Sequence, residues 1–174
     1  MKITLLEFPM EKDWIEVKRR AMITIGKTEF APPPFRWRRD ILEARHSPIR
    51  YLRFSFLIEG VPSWVATHLA RHVHAQPYIK SQRNDRQSEY DRNAARQDAP
   101  VYMIFDVNAE EMIVIANKRL CNQAAKETRE LVQMMCDCIC EHCPEFKSQL
   151  IPMCERDGGV CHEMKSCGKC MRNG

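Results

Sequence analysis

No stretch of the 174 residues comes near the run of about twenty apolar positions that a helix needs to cross a hydrocarbon core, so a membrane span is excluded. The N-terminal MKITLLEFPMEKDW has one lysine and a short apolar run before its charges. It lacks the long apolar centre and small-residue cleavage site of a secretion signal. A cytoplasmic location, with mostly reduced thiols, is therefore expected. Internal repeats are missing, and so is a βαβ rhythm. Disorder is excluded as well, since 44% hydrophobic and 29% charged residues match a soluble globular chain. This length fits one domain with a short appendage: an α+β unit over 1–150 and a cysteine-rich tail over 151–174.

Acids are sparse between Arg36 and Arg96, where the basic residues crowd. The formal net charge of +4 is modest, but its distribution is not. Arg36, Arg38, Arg39, Arg45, Arg50, Arg53, Arg71, Lys80, Arg83, Arg86, Arg92 and Arg96 all fall there. Guanidinium forks match phosphate oxygens bidentately, although a solvated basic face is an equally good reading before any motif is considered.

The alternation of YLRFSFLIEG places Leu52, Phe54, Phe56 and Ile58 on one face of a strand. Further strands are expected over 2–8 and 101–107. Helices are expected over 10–24, with Trp14, Val17, Ala21 and Ile23 inward, and over 36–45, ending before Ser47-Pro48. Another should start near Ser63 and run until Pro77. Residues 82–99 read as a loop or a weak helix. Asn108 and Glu111 form a box-like start to a long helix. Its apolar spacing (Ile113, Leu120, Ala124, Thr128, Leu131, Met135, Cys138) continues to Cys143-Pro144, roughly 50 Å.

The stretch THLARHVHAQPYIKSQRND holds three histidines and three basic residues. Three readings compete. His68 and His72, four apart, could ligate a metal, although a metalloprotease glutamate is missing because position 69 is leucine. The histidines could face a core edge, with the arginines in solvent. Or Arg71, His72, Lys80, Ser81 and Arg83 could hold an anion.

Within that stretch, ARHVHAQPYIKSQRN resembles the signature of the flavin-dependent thymidylate synthases, Arg-His-Arg-x-x-Ser-x-Asn-Glu-x-Ser-x-Arg-Tyr. Arg71, His72, Ser81 and Arg83 fall on signature positions. RHSPIRYLRFSFLIEGVPSWVATHLARH follows the family's order of a Ser-Pro segment, a strand and a helix. NAEEMIVIANKRL supplies Asn108, Ala109 and Arg119 at the spacing of its Asn-Ala-Arg helix, and CERDGGVCHEMKSCGK is similar to the ending of some members. The chain departs from the pattern at Tyr51, His68, Val73, Gln76, Tyr78, Ile79, Asn84 and Glu110.

The resemblance implies a homotetrameric α+β enzyme that methylates deoxyuridine monophosphate (dUMP) with methylenetetrahydrofolate, a hydride passing from NADPH through FAD. It implies Ser81, Arg83, Arg119 and His68 at dUMP, and Arg71, His72, Ser47 and Asn108 at FAD. Partners would be nucleotide and folate, with neither nucleic acid nor membrane. A nucleotide-binding or nucleotide-modifying derivative without the flavin cycle is the alternative.

Of nine cysteines, eight lie in the last 39 residues. Cys154, Cys161, Cys167 and Cys170, with His162 nearby, could ligate zinc; free thiols are the other reading. Cys136, Cys140 and Cys143 share a helix face, which could serve a metal cluster but more often means small core residues.

Overall fold

The computed structural model describes residues 1–81, 83, 85, 91 and 93–172. The expected loop or weak helix over 82–99 lies partly outside these residues, as do Asn84, Arg86 and Arg92.

Period-two burial builds the centre of the molecule. In β2 (Arg53–Pro62) Phe54, Phe56 and Ile58 are fully buried, and in β4 (Pro100–Asn108) Val101, Met103, Phe105 and Val107 are buried. The antiparallel register sets Phe54 against Val107, Phe56 against Phe105 and Ile58 against Met103, so both apolar rows share one face. On the opposite face Ser55 donates a 2.6 Å hydrogen bond to its cross-strand neighbour Asp106. The strand β1 (Lys2–Glu7) flanks β2, and β3 (Ala75–Ile79) flanks β4, giving the order β1-β2-β4-β3. Gly60, at φ +68°, sits where the β2–β4 register shifts between Glu59 and Val61, a conformation a side chain would strain.

Helices cover the buried face. In α1 (Glu11–Ile23) Trp14 and Val17 are buried; Ala21 packs at the core edge, whereas Ile23 is exposed, contrary to expectation, because the helix end overhangs the core. The short α2 (Phe35–Glu43) leads to the 3-10 turn Ser47–Tyr51.

Two helix expectations need correction. The helix from Ser63 is α3 (Ser63–Ala70), which stops well before Pro77. Residues 75–79 instead pair with β4, burying Ala75 beside Val107, and Pro77 is accommodated because β3 is an edge strand. The long helix is two: α4 (Ala109–Arg119) and α5 (Lys126–His142). No proline or glycine marks the break. Arg129 closes it from a distance, its guanidinium donating to the carbonyls of Asn122 (3.2 Å) and Ala124 (2.9 Å). Folding back lets α5 pack on α4 and β1, and turns Cys136 and Ile139 inward in place of Cys138.

The tail forms a short helix α6 (Met153–Arg156) and a two-stranded parallel pair, β5 (Val160–Cys161) with β6 (Met171–Arg172). It is tied to α4 and the following turn by Lys118–Glu163 (3.0 Å) and by Gln123 donating to the Lys165 carbonyl (2.9 Å).

Burial raises the Cys143 thiol from 9 to about 12 and pushes Cys136 higher still. Above pH 9 the unfolded chain therefore releases protons that the folded chain keeps. The folded state then binds more protons, and stability must fall as pH rises, by at most about 1.4 kcal/mol per pH unit for each thiol. Urea midpoints should drop between pH 9 and 10.5, and the drop should shrink in Cys143→Ala. A midpoint independent of pH over that range would contradict the burial of both thiols.

Candidate active site

The side chains that could meet a ligand are set by the ends of α3 and α4. Beyond α3 the chain turns tightly, with the His72 amide donating to the Leu69 carbonyl (3.0 Å) and the Ala75 amide to the His72 carbonyl (3.1 Å). That turn leaves His72 facing α4. Asn108 caps α4, its side-chain oxygen accepting from the Glu111 amide at 2.9 Å, as the box-like start predicts. Glu111 and Arg119, two turns apart on α4, then both reach the same imidazole.

His72 Nδ1 lies 2.9 Å from Glu111 Oε1, and Arg119 Nε donates to His72 Nε2 at 3.2 Å. A guanidinium cannot accept, so Nε2 is the acceptor and the proton sits on Nδ1, donated to Glu111. The imidazole is thus a neutral link between a cation and a buried carboxylate. Arg119 uses only Nε in this link, and among the described residues its outer nitrogens have no other partner and could meet an anion.

His68, on α3, contacts Thr128 of α5 (Nδ1 to Oγ1, 3.3 Å) and meets the Trp64 ring edge-on at 5.2 Å. With Trp64, Thr67, Ser63 and Gln97 it lines an open cavity of about 280 Å³. The metal reading of His68 and His72 fails because α3 ends between them and each faces its own polar partner.

The remaining expected residues are distributed as follows. Arg71 caps the C-terminus of α3 and its side chain is exposed. Ser81 Oγ accepts from the Arg83 amide at 3.2 Å, and the Arg83 guanidinium grips Asp85 bidentately at 2.9 and 2.6 Å. Ser47 opens the 3-10 turn and is exposed. Arg119 is therefore joined directly to His72, whereas Arg83 is engaged within its own loop. Glu110, at the place where the resemblance has arginine, is held by Arg50 at 2.5 Å.

Glu111 was legible only as a capping residue and Thr128 only as an inward position. Both bind histidines 39 and 60 residues away in sequence, for which no local pattern exists.

In the tail, desolvation, and then the neighbouring Cys170 thiol, push Cys154 up to about 11. Cys161 is buried in β5. Among the described residues no three His, Cys, Asp or Glu side chains gather tightly enough for a metal ion, so the set Cys154, Cys161, Cys167 and Cys170 is not assembled. Among them, too, no helix is long and apolar enough to cross a membrane.

No family model matches the chain, and no curated protein matches it by sequence. Solved structures do match. A crystal structure of thymidylate synthase X from Helicobacter pylori with FAD and dUMP superposes at a TM-score of 0.69 and 15% identity, covering 86% of this chain and 99% of that one. A second structure of the flavin-dependent thymidylate synthase from the same organism, also complexed with FAD and dUMP, gives 0.69 and 16%, covering 86% and 100%. With its antiparallel sheet, its covering helices and this likeness over nearly the full length of both neighbours, the chain has the α+β fold of the flavin-dependent thymidylate synthases.

Proposed function

We propose that the chain is a divergent flavin-dependent thymidylate synthase that converts dUMP to dTMP, with methylenetetrahydrofolate as one-carbon donor and NADPH as reductant. The observation that carries this reading is the contact between Arg119 and His72: two motif positions 47 residues apart meet around one imidazole, inside the fold those motifs imply.

In this reading Arg119, with Ser81 and Arg83, holds the dUMP phosphate, Arg83 exchanging Asp85 for the ligand. A phosphate dianion between two guanidinium groups gains charge-assisted hydrogen bonds that an internal carboxylate only partly replaces. His68 and Trp64 offer the uracil an aromatic wall beside a polar ring nitrogen. Glu111 keeps His72 in the tautomer that accepts from Arg119, which fixes the guanidinium in place before substrate arrives.

The donors present fit a flavin dinucleotide in part. Arg71, whose guanidinium is exposed, and the Ser47 hydroxyl suit its phosphates. Asn108 and His72 already have internal partners and would act by position. The flavin supplies hydride transfer when bound, and the protein supplies orientation and charge. The Arg50–Glu110 pair favours the second reading, a nucleotide-binding derivative without the flavin cycle, because it sets a carboxylate where the resemblance has a cation. A homotetramer is part of the proposal, supported by exposed Val73, Tyr78 and Tyr102 on and beside the outer sheet face.

Complementation of a thymidine-requiring strain tests the reaction. Growth without thymidine, together with flavin absorbance in the purified protein, is the expected result. A colourless protein that binds dUMP yet fails to complement would select the second reading.

A further inference from the structure

On the far side of α4 from His72 is a second cluster of charge. Asn117 and Arg119 are two residues apart, so they point to opposite flanks of the helix. Asn117 is buried, and its amide nitrogen donates to the carbonyls of Gln149 (3.0 Å) and Ile151 (2.7 Å). Those bonds fix which way the amide faces. Its oxygen accepts from Arg45 and from Arg156 Nη1 (3.2 Å). Two guanidinium groups are thereby held against one neutral oxygen. Arg156 has a carboxylate partner, Asp157, at 2.8 Å; among the described residues Arg45 has none. Desolvation, and then the charge of Arg156, destabilise the cationic form of Arg45.

Arg45 is also the residue that closes α2. Its amide donates to the Leu42 carbonyl (3.2 Å) and the His46 amide to the Ile41 carbonyl (3.4 Å), the paired bonds of a helix stop at which glycine is usual. Arg45 adopts φ +50° there, and among the described residues no other non-glycine has a positive φ. Glycine would hold this turn with less strain, so the backbone gives no reason for an arginine.

Arg45 and Arg156 border an open cavity of about 650 Å³ together with Arg39, Glu43, Ser148 and Gln149. Arg39 has no hydrogen bond or ion pair from its side chain among the described residues, and Glu43, one turn on along α2, is not paired with it. Glu155, also at the rim, is engaged by Lys169.

We infer that this cavity is a binding site for a phosphate-bearing small molecule, with Arg39, Arg45 and Arg156 on the phosphate. Ser148 would donate to a phosphate oxygen, and Glu43 would accept from a hydroxyl or amino group on the rest of the ligand. The convergent guanidinium groups supply the forked donors that phosphate oxygens match. The volume suits a ligand of sugar-phosphate or nucleotide size. The inference does not depend on the proposed reaction, because none of these side chains belongs to the His72 cluster.

Calorimetric titration with ribose 5-phosphate tests it, carried out in the Arg119→Ala protein so that the nucleotide site does not contribute. Binding is expected there, with ribose at the same concentration giving none. Adding Arg45→Gly should weaken it by about tenfold or more while leaving the melting temperature unchanged or higher. Adding Arg39→Ala, which removes no hydrogen bond or ion pair among the described residues, should weaken it in the same direction without a stability change. No binding in the Arg119→Ala background, an equal response to ribose, or affinity within twofold after both substitutions would overturn the assignment.

Discussion

Arg119→Ala is expected to weaken dUMP binding by about 100-fold or more. Two charge-assisted hydrogen bonds to phosphate are worth about 1.5–3 kcal/mol each, and every 1.4 kcal/mol is tenfold in affinity. The substitution also removes the donor that His72 Nε2 accepts from, and so frees an imidazole that Glu111 now holds in one tautomer. Arg119→Lys keeps the charge but cannot serve His72 and a phosphate with one rigid fork, so it should fall between the two. Isothermal titration with dUMP measures this directly. The melting temperature should move little, because Arg119 is only half-buried and, among the described residues, bonds His72 alone. Affinity within threefold of the parent protein would remove Arg119 from the nucleotide site, and the proposed function would lose its main support.

Phe54→Ala should produce the largest loss of stability. Phe54 is fully buried in β2, with its ring edge-on to Phe146 at 5.3 Å and stacked near Phe56 at 6.5 Å. Phe146 in turn meets Trp14 of α1 at 6.0 Å. The ring therefore joins the sheet to the segment that follows α5 and, through it, to α1. Removing it leaves a cavity that rigid strand backbone on both sides cannot fill, at about 3–5 kcal/mol. For a chain of this size that lowers the melting temperature by roughly 6–20 °C. Phe54→Leu, which keeps much of the volume, should lose less than half as much. If Phe54→Ala melted within about 2 °C of the parent, the site is not the packed junction described here.

The strands show how much was legible from residue order. Leu52, Phe54, Phe56 and Ile58 alternate because one face of a sheet is wet and the other dry, and they are all buried. The Asn108 cap is similarly local: its oxygen reaches an amide three residues on, and the pattern is visible without a fold. Helix continuity was not. The apolar spacing runs unbroken from Ile113 to Met135, because the two helices bury the same face against one core. The chain nonetheless folds back at 120–125, held by a guanidinium from the next helix. Likewise the helix from Ser63 reads on as far as Pro77, but Ala75 and Gln76 pair with β4 instead.

The sequence by itself determined which residue types could meet an anion: arginines and histidines crowded between two apolar elements, in the order found in one enzyme family. Only the tertiary structure decided which of them meet. It joined His72 to Arg119 and Glu111, left Arg83 with Asp85, and set Arg45 beside Arg156 on a buried amide oxygen. The physical reason is range. Periodicity and capping are fixed within a few residues along the chain, whereas a charge responds to whatever lies within a few ångströms, and packing alone chooses those neighbours.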